Sequence, residues 1–258
     1  MSKVDIRRQD LVDWLMMEET LSVGDVASRY HISMPTARKM CALLADEGIA
    51  VRTHGGLRRL AQGSALYSFD RLTHENREEK ARIGKYAASL IESGKTVFFE
   101  AGTTVLQCVL AFAERIKSNQ LTNMVVFTNS LINLEILHQV CPVNLIGGLY
   151  RVERKDFSGY MSELALENLI FDYCVMGADA VSLSGGVMAM DIETVRFDKA
   201  LAARSQNVLL LAHSDKFNLS SLLSFAPVTA MSVIITDAGI GEDVYQQYLS
   251  QQINLLRA

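Results

Sequence analysis

The feature that most constrains the fold of this chain is an alternation, from residue 96 onward, of short continuous apolar runs with helix-like patterns. The runs predict strands and the intervening patterns predict helices: strands at 96–99, 124–127, 143–146, 173–176, 208–212, 233–235 and 253–256, and helices near 78–93, 105–117, 130–139, 161–169 and 192–204. Strands that are apolar throughout are typical of a parallel sheet with helices on both faces. The sequence therefore predicts a Rossmann-like, mainly parallel α/β domain over residues 77–258.

Polar residues and glycines follow the first six predicted strands. They lie at Glu100–Thr104, Thr128–Ser130, Gly147–Gly148, Gly177–Asp179, His213–Lys216 and Thr236–Asp237. Ligands of open α/β sheets bind at this carboxyl edge. Gly102, Thr103 and Thr104 lead into a helix, so backbone donors and hydroxyls there predict an anion site within reach of Lys216. Each segment alone has a simpler interpretation, as a glycine turn, a helix cap or a solvated lysine. The position of all these segments at one edge of the sheet favours a ligand site.

The N-terminal 60 residues show a different pattern, of three short helices. Within the third, after a possible N-cap at Ser33, an apolar face is formed by Ala37, Met40, Cys41 and Leu44. Thr36, Arg38 and Lys39 fall on the opposite face. Earlier helices are predicted over 6–17 and after Ser22. This spacing fits any small helical subdomain, and it also fits a helix-turn-helix that places an exposed helix in the major groove of DNA.

A basic hairpin is predicted directly after the third helix. Gly48 is a natural end for that helix, and residues 49–59 indicate a strand, a glycine turn and a returning strand. Arg52, Arg58 and Arg59 would lie where a wing meets the phosphate backbone, a contact that sets register without reading sequence. We therefore predict a winged helix-turn-helix domain over residues 1–60 and a linker over 61–76.

Charge and length limit the possible functions. The chain has 258 residues, 49% of them hydrophobic, and a formal net charge of −4, which excludes a protein that is basic throughout. Residues 1–60 carry nine Lys and Arg against eight Asp and Glu. Affinity for DNA would therefore depend on a local cationic patch and on association of the chain into a dimer or tetramer.

The cysteines and the N-terminus indicate a cytoplasmic protein. The four cysteines are widely spaced and form no CxxC pair, so free thiols are expected rather than disulfides or a zinc site: Cys41, Cys108, Cys141 and Cys174. The first residues contain acidic side chains where a signal sequence would be apolar, and no apolar run reaches the length of a membrane span. We predict no membrane association, no bound metal and no cofactor.

The N-terminal segment resembles the DNA-binding domain of the DeoR family of bacterial transcriptional repressors. The match is carried by Ser33, Thr36, Arg38, Lys39, Leu44, Gly48, Arg52, His54, Gly55 and Gly56. The sequence departs from the family pattern at Ala37, Lys39, Met40 and Cys41. Lys39 keeps the positive charge of the usual arginine but lacks its planar guanidinium group, which can form two parallel hydrogen bonds. The resemblance implies contacts with a double-stranded DNA operator by Thr36, Arg38, Lys39, Arg52, His54, Arg58 and Arg59.

Residues 77–240 resemble the sensor domain of the same family, through the order of motifs E-K, G-T-T, T-N-S, G-G, G-x-D, G-G, E, D-x-K-F and T-D. The resemblance implies a fold like that of ribose-5-phosphate isomerases and a phosphorylated sugar as effector. Gly102, Thr103 and Thr104 would hold the phosphate with Lys216. The sugar would be bordered by Thr128, Asn129, Gly147, Gly148, Asp179 and Glu193. Glu100 and His213 stand where aspartates are more usual in the family.

The alternative is an enzyme, a sugar-phosphate isomerase with an attached DNA-binding domain. Isomerases of that fold resemble D-G-A-D followed by K-G-G-G, and here Met176 replaces the first aspartate and Ser184 the lysine. Because proton transfer between two carbons needs a base and an oxyanion stabiliser, these replacements argue against catalysis. We expect a repressor of a carbohydrate-utilisation operon whose ligand shifts the population between arrangements of paired DNA-binding domains.

Overall fold

The computed structural model describes residues 7–8, 10–12, 14–15, 18, 20–46, 50–53, 55–59 and 67–258. Contacts between Cα atoms divide the chain into two compact units, Met1–Leu72 and Thr73–Ala258. No helix of the described residues is long and apolar enough to cross a membrane.

The first unit is a small helical domain with a three-stranded sheet. The described residues between 7 and 15 are helical, and they are followed by β1 (Thr20–Ser22), α1 (Val23–Tyr30), α2 (Met34–Asp46), β2 (Ala50–Thr53) and β3 (Gly56–Arg59). The strands are antiparallel in the order β1-β3-β2. The predicted helices and hairpin are confirmed, but β1 was not predicted from the sequence. Gly56 allows β1 to approach, since a Cβ at this position would overlap the carbonyl oxygen of Leu21.

Local signals explain where these helices begin and end. The Ser22 hydroxyl accepts a hydrogen bond from the Asp25 N–H, and the Asp25 carboxylate accepts one from the Ser22 N–H, which is a capping box. His31, in the left-handed conformation at φ 50°, ends α1. The core of the unit is formed by apolar side chains from all its elements: Leu11, Leu15, Leu21, Val26, Ala37, Cys41, Leu44, Ala50 and Leu57.

The second unit is a seven-stranded parallel sheet covered by helices. After α3 (Phe69–His74), its main elements are α4 (Arg77–Ser89), β4 (Thr96–Phe99), α5 (Thr103–Lys117), β5 (Val125–Thr128), α6 (Leu131–Leu137), β6 (Val143–Leu145), β7 (Leu149–Arg151), β8 (Asp156–Ser158), α7 (Tyr160–Leu166), β9 (Phe171–Met176), β10 (Ala180–Ser182), β11 (Gly186–Ala189), α8 (Ile192–Ala203), β12 (Ser205–Leu211), β13 (Leu223–Ala226), β14 (Val233–Thr236), α9 (Glu242–Ser250) and β15 (Leu255–Arg257). The strand order is β15-β14-β12-β9-β4-β5-β6, with every pair parallel.

The apolar strands bury both faces of this sheet. Phe98 and Leu210 point to one face, where they pack with residues of α8, whereas Phe99 and Leu209 point to the other face and pack with residues of α4 and α5. Helices α4 and α5 lie in close contact at Gly84, where a Cβ would lie 2.5 Å from the backbone of residues 107 and 108. The predicted parallel α/β fold is therefore confirmed.

Several elements differ from the sequence prediction. Strand β12 begins at Ser205, three residues earlier than predicted, because the polar residues Ser205 and Asn207 also pair with β9. Helix α9 was not predicted, and Tyr248 is its one buried side chain. Two antiparallel sheets, β7-β8 and β10-β11-β13, were also missed. In the predicted linker, residues 61–66 lie outside the described residues and Phe69–His74 is helical.

Candidate functional site

The segments at the carboxyl edge of the parallel sheet carry three groups whose charges act on one another: Lys80, His213 and Lys216. Lys80 lies in the first turn of α4 and is buried, with 3% of its surface exposed. Burial, together with the charge of Lys216, lowers the pKa of Lys80 to about 8. Burial and then the charges of Lys216 and Lys80 lower the pKa of His213 to about 4. Two ammonium groups beside a neutral imidazole can bind an anion.

The loop that carries His213 and Lys216 is fixed by two neighbouring segments. Asp237, which follows β14, accepts hydrogen bonds from the Ser214 N–H at 2.7 Å and from the Ser214 hydroxyl at 2.9 Å. Burial alone would raise the pKa of Asp237, but these hydrogen bonds and one from the Gly239 N–H lower it below its ordinary value. On the other side, the Asn76 side-chain amide donates to Asp215 at 3.1 Å and lies 3.2 Å from His213 Nδ1. The position of this loop is therefore set before any ligand binds.

The predicted phosphate-binding turn opens helix α5 at the same edge of the sheet. Gly102 is the N-cap residue, and no side chain caps the helix there. Thr103 and Thr104 follow it in the first turn and are each 8% exposed. Helices α4 and α5 pack on each other, and both begin at the carboxyl edge, so their first turns lie at the same edge of the sheet. Backbone N–H groups at a helix start favour anions.

Acidic side chains border the site away from the lysines. Glu100 is buried and accepts a hydrogen bond from the Gly177 N–H at 3.3 Å. Burial, then the charges of Asp198 and Asp156, raise the pKa of Glu100 well above its ordinary value. Burial likewise raises the pKa of Asp198, whose Oδ1 has no hydrogen-bond partner within the described part of the chain. Both groups therefore favour the neutral acid, which can donate to and accept from hydroxyl groups.

An arginine–aspartate network supports this acidic side. Arg151 binds both carboxylate oxygens of Asp156, at 2.8 and 2.6 Å, and contacts Asp191 at 2.7 Å. Arg154 contacts Asp191 at 2.8 Å and Asp179 at 3.5 Å. Asp191 also caps α8, so the network orients the helix that carries the predicted ligand-binding residue Glu193.

Other predicted sugar-binding residues hold loops together. The Thr128 hydroxyl donates to the carbonyl of Phe99 at 2.7 Å, and the Asn129 amide bridges the Ala101 N–H and the Phe157 carbonyl. These two side chains are 0% and 2% exposed. At Gly148 a Cβ would overlap the Ser162 hydroxyl, which itself donates to Gly147. These residues position the site, and their direct contact with a sugar stays a prediction.

Several residues of this site were given no role from the sequence, although three of them carry a recognisable signal: Lys80, Arg151 and Arg154. Lys80 falls on the apolar face of α4, three residues before Ile83 and seven before Ala87, where a lysine is unexpected. Arg151 and Arg154 form an R-x-x-R pair shortly after Gly147–Gly148. Asn76 and Asp198 carry no comparable signal, because their roles depend on partners far away in the sequence.

The predicted DNA-contacting side chains of α2 lie on the surface of the first unit. Thr36, Arg38 and Lys39 are exposed, whereas Ala37 on the opposite side is buried. Arg52 of β2 is exposed, and Arg58 and Arg59 belong to β3. The predicted contact at His54 and the predicted helix end at Gly48 lie outside the described residues.

The structure also bears on the thiols and on metal binding. All four cysteines are free, and three of them are buried, as the sequence predicted. Among the residues that the structure describes, no group of three or more His, Cys, Asp or Glu side chains is arranged to hold a metal ion.

The chain belongs to the DeoR family of transcriptional regulators. Residues 75–238 match the DeoR C terminal sensor domain, and residues 7–62 match the DeoR-like helix-turn-helix domain. The family was identified correctly from the sequence motifs. The protein is thus a DNA-binding transcriptional regulator and not an enzyme.

Curated relatives span the whole chain. The HTH-type transcriptional regulator IolR of Bacillus subtilis is 26% identical and covers 95% of this chain and 96% of its own. The putative aga operon transcriptional repressor of Escherichia coli is 28% identical, with 92% and 87% covered. The lactose phosphotransferase system repressor of Lactococcus lactis is 30% identical, with 98% of each chain covered.

Among solved structures, the chain is similar to two ribose 5-phosphate isomerases. The Plasmodium falciparum protein has a TM-score of 0.41 and 16% identity, with 54% of this chain and 52% of that chain covered. The Methanocaldococcus jannaschii protein has a TM-score of 0.42 and 16% identity, with 55% of each chain covered.

Proposed function

We propose that the protein represses a carbohydrate-utilisation operon and that a phosphorylated sugar, bound at the carboxyl edge of the parallel sheet, controls its affinity for the operator. The observation that supports the effector most directly is the buried Lys80 beside Lys216 and the neutral His213. A dianionic phosphoryl group can accept charge-assisted hydrogen bonds from these ammonium groups, and its charge offsets the repulsion between them that Glu75 also opposes.

The other side of the site fits the hydroxyl groups of a sugar. Burial raises the pKa of Glu100 and of Asp198, so both favour the neutral acid. A neutral carboxyl group both donates and accepts hydrogen bonds, as the hydroxyl groups of a polyol do. A ligand with phosphate at one end and hydroxyls at the other matches both sides. Relatives named for the aga operon and for a lactose phosphotransferase system are consistent with this ligand class.

A thermal-shift screen of sugar phosphates, repeated with the same sugars unphosphorylated, tests the proposal. At a concentration a hundred times the dissociation constant, a ligand stabilises the folded state by about 2.7 kcal/mol. For a domain of this size that corresponds to a rise in Tm of about 5–10 °C. We expect this rise for at least one sugar phosphate and a much smaller one for its unphosphorylated form. Equal rises for both forms would contradict a phosphate site.

The hairpin β2-β3 is proposed to contact the DNA backbone. We expect Arg58→Ala to weaken binding to the operator and to random duplex DNA by a similar factor. The slope of log affinity against log salt concentration should become shallower by about one unit, since one phosphate contact is lost. Filter binding or fluorescence anisotropy across a salt series measures both effects. A change in base preference with an unchanged salt slope would instead assign Arg58 to sequence readout.

We further propose that the regulator acts as a dimer or tetramer, in which a second copy of this chain covers an apolar surface of the second unit. One winged helix-turn-helix domain reads one half-site, so an operator made of two half-sites requires paired copies of the chain. The surface consists of Leu149, Val152, Tyr160 and Met161, whose exposed fractions are 68, 67, 67 and 65%. Leu149 pairs with Ser158 of β8 and therefore lies beside the start of α7, which carries Tyr160 and Met161, and Val152 directly follows β7. Apolar side chains concentrated in this way are typical of an interface.

Replacing Leu149 with glutamate tests this surface. We expect Leu149→Glu to lower the molar mass measured by light scattering toward that of one chain and to weaken operator binding, because a charge would be buried in the interface. Leu222→Glu is the matched control, since Leu222 is 76% exposed and lies outside this surface. An assembly that survives Leu149→Glu and dissociates with Leu222→Glu would place the interface elsewhere.

A further inference from the structure

His213 stands where the family pattern has an aspartate, and its imidazole lies against a side chain 137 residues away. The Asn76 amide nitrogen is 3.2 Å from His213 Nδ1 and 3.1 Å from Asp215 Oδ2. Asn76 is the residue before α4, and its carbonyl accepts the N–H of Lys80 at 3.0 Å. One side chain therefore joins the loop of His213 to the helix that carries Lys80.

The two contacts of the Asn76 amide determine which imidazole nitrogen carries the proton. A carboxylate oxygen can only accept a hydrogen bond, so the group facing Asp215 is the amide NH₂. The same nitrogen faces His213 Nδ1, and the ring nitrogen must therefore be the acceptor. A neutral ring that accepts at Nδ1 carries its proton on Nε2.

The charges around the ring keep it neutral. Lys216 and Lys80 lower the pKa of His213, and Asp215 and Asp237 oppose them. Burial is the largest effect, since 8% of the residue is exposed, and the resulting pKa is about 4. At neutral pH the ring is thus a hydrogen-bond donor without a charge of its own. An aspartate in this place would be an acceptor only and would repel an anion.

We propose that Asn76 is a positioning residue that holds His213 as an Nε2–H donor, and that His213 thereby becomes a third donor to the phosphoryl group beside Lys80 and Lys216. The inference rests on the proposed phosphate site and adds to it a residue outside the family pattern. Asn76 itself does not touch the ligand. It fixes the ring orientation and tautomer through Nδ1, as the partners of functional histidines generally do.

Long-range ¹H–¹⁵N NMR of the full chain reads the tautomer directly. The chain has five histidines, and the signal of His213 is assigned by its loss in His213→Gln. Inorganic sulfate serves as the probe because it remains a dianion while pH is varied. We expect an Nε2–H tautomer in the absence of sulfate, and a shift of the Nε2 signal that saturates as sulfate binds.

Two variants of Asn76 separate positioning from folding. Asn76 has φ 49°, so Asn76→Gly removes the amide while keeping the left-handed backbone accessible. We expect mixed tautomers and a sulfate affinity lower by about three- to tenfold, the effect of one hydrogen bond. Asn76→Asp places a second carboxylate beside Nδ1 and raises the pKa of His213. Sulfate affinity should then increase as pH falls from about 7 to 5, and by a larger factor than for the unchanged protein, whose His213 has the lower pKa.

The outcomes distinguish this inference from the function on which it rests. An Nδ1–H tautomer in the unchanged protein would overturn the inference. The inference would also be overturned if sulfate bound to the protein, Lys216→Met abolished that binding, and the Nε2 signal of His213 nevertheless did not shift. That result would leave the proposed phosphate site intact. Sulfate binding that is absent, or unaffected by Lys216→Met, would overturn the phosphate site and this inference together.

Discussion

Lys80→Met is expected to raise strongly the concentration of sugar phosphate that is needed to change operator binding. The ammonium of Lys80 is buried beside Lys216, so a charge-assisted hydrogen bond to the phosphoryl group would contribute about 1.5–3 kcal/mol. Its loss lowers effector affinity by about ten- to a hundredfold. The concentration of sugar phosphate that releases half of the operator, measured by fluorescence anisotropy, reports this change.

The fold should tolerate this substitution. The pKa of Lys80 is lowered from 10.5 to about 8, so the folded protein disfavours the charged form. Between these values the unfolded chain binds more protons than the folded one, and stability therefore rises with pH. Methionine removes the buried charge and keeps the length of the side chain. Lys85→Met, on an exposed position of the same helix, is the matched control. If both variants respond to the effector like the unchanged protein, the phosphate does not bind at Lys80.

Arg38→Ala is expected to remove most of the preference for the operator over random duplex DNA. Arg38 is exposed on α2, opposite the buried Ala37, in the helix predicted to enter the major groove. A bidentate contact with a base contributes about 1–3 kcal/mol of discrimination. The ratio of the dissociation constants for operator and random duplex should therefore fall by about five- to a hundredfold.

Arg38→Lys distinguishes base readout from a phosphate contact. Lysine keeps the positive charge but lacks the planar fork of donors. If Arg38 reads a base, Arg38→Lys loses specificity nearly as Arg38→Ala does, while affinity for random duplex is largely kept. Full specificity in Arg38→Lys would show that Arg38 contributes charge alone, and base readout would then have to come from Thr36, Lys39 or another part of the surface.

Most of the architecture could be predicted because it depends on local patterns. The strands of the parallel sheet are apolar on both faces, and that pattern is visible at Thr96–Phe99 without knowledge of the partners. The helix cap at Ser22 is equally local. The close approach of β1 at Gly56 is not, because it involves the backbone of Leu21, far away in the chain. Helix α9 was not predicted because Tyr248 is its one buried side chain.

The site could be predicted only in part, for a physical reason. The glycines and threonines after β4 follow a strand, so their position at the carboxyl edge was readable from the sequence. The tautomer of His213 depends on Asn76, and the protonation of Glu100 depends on Asp198. Each pair is about a hundred residues apart in the chain, so sequence periodicity contains no information about it. Burial and charge at these positions are properties of the folded unit.

Operator binding with and without effector is the most direct test of the central claim. The dissociation constant of the full chain is measured by fluorescence anisotropy for DNA from its own promoter and for random duplex, at moderate ionic strength, with and without a sugar phosphate identified by thermal shift. We predict a clear preference for the promoter DNA that the sugar phosphate alters by about five- to a hundredfold, the usual range of allosteric coupling. Equal affinity for both duplexes, or a preference that no sugar phosphate changes, would contradict the account.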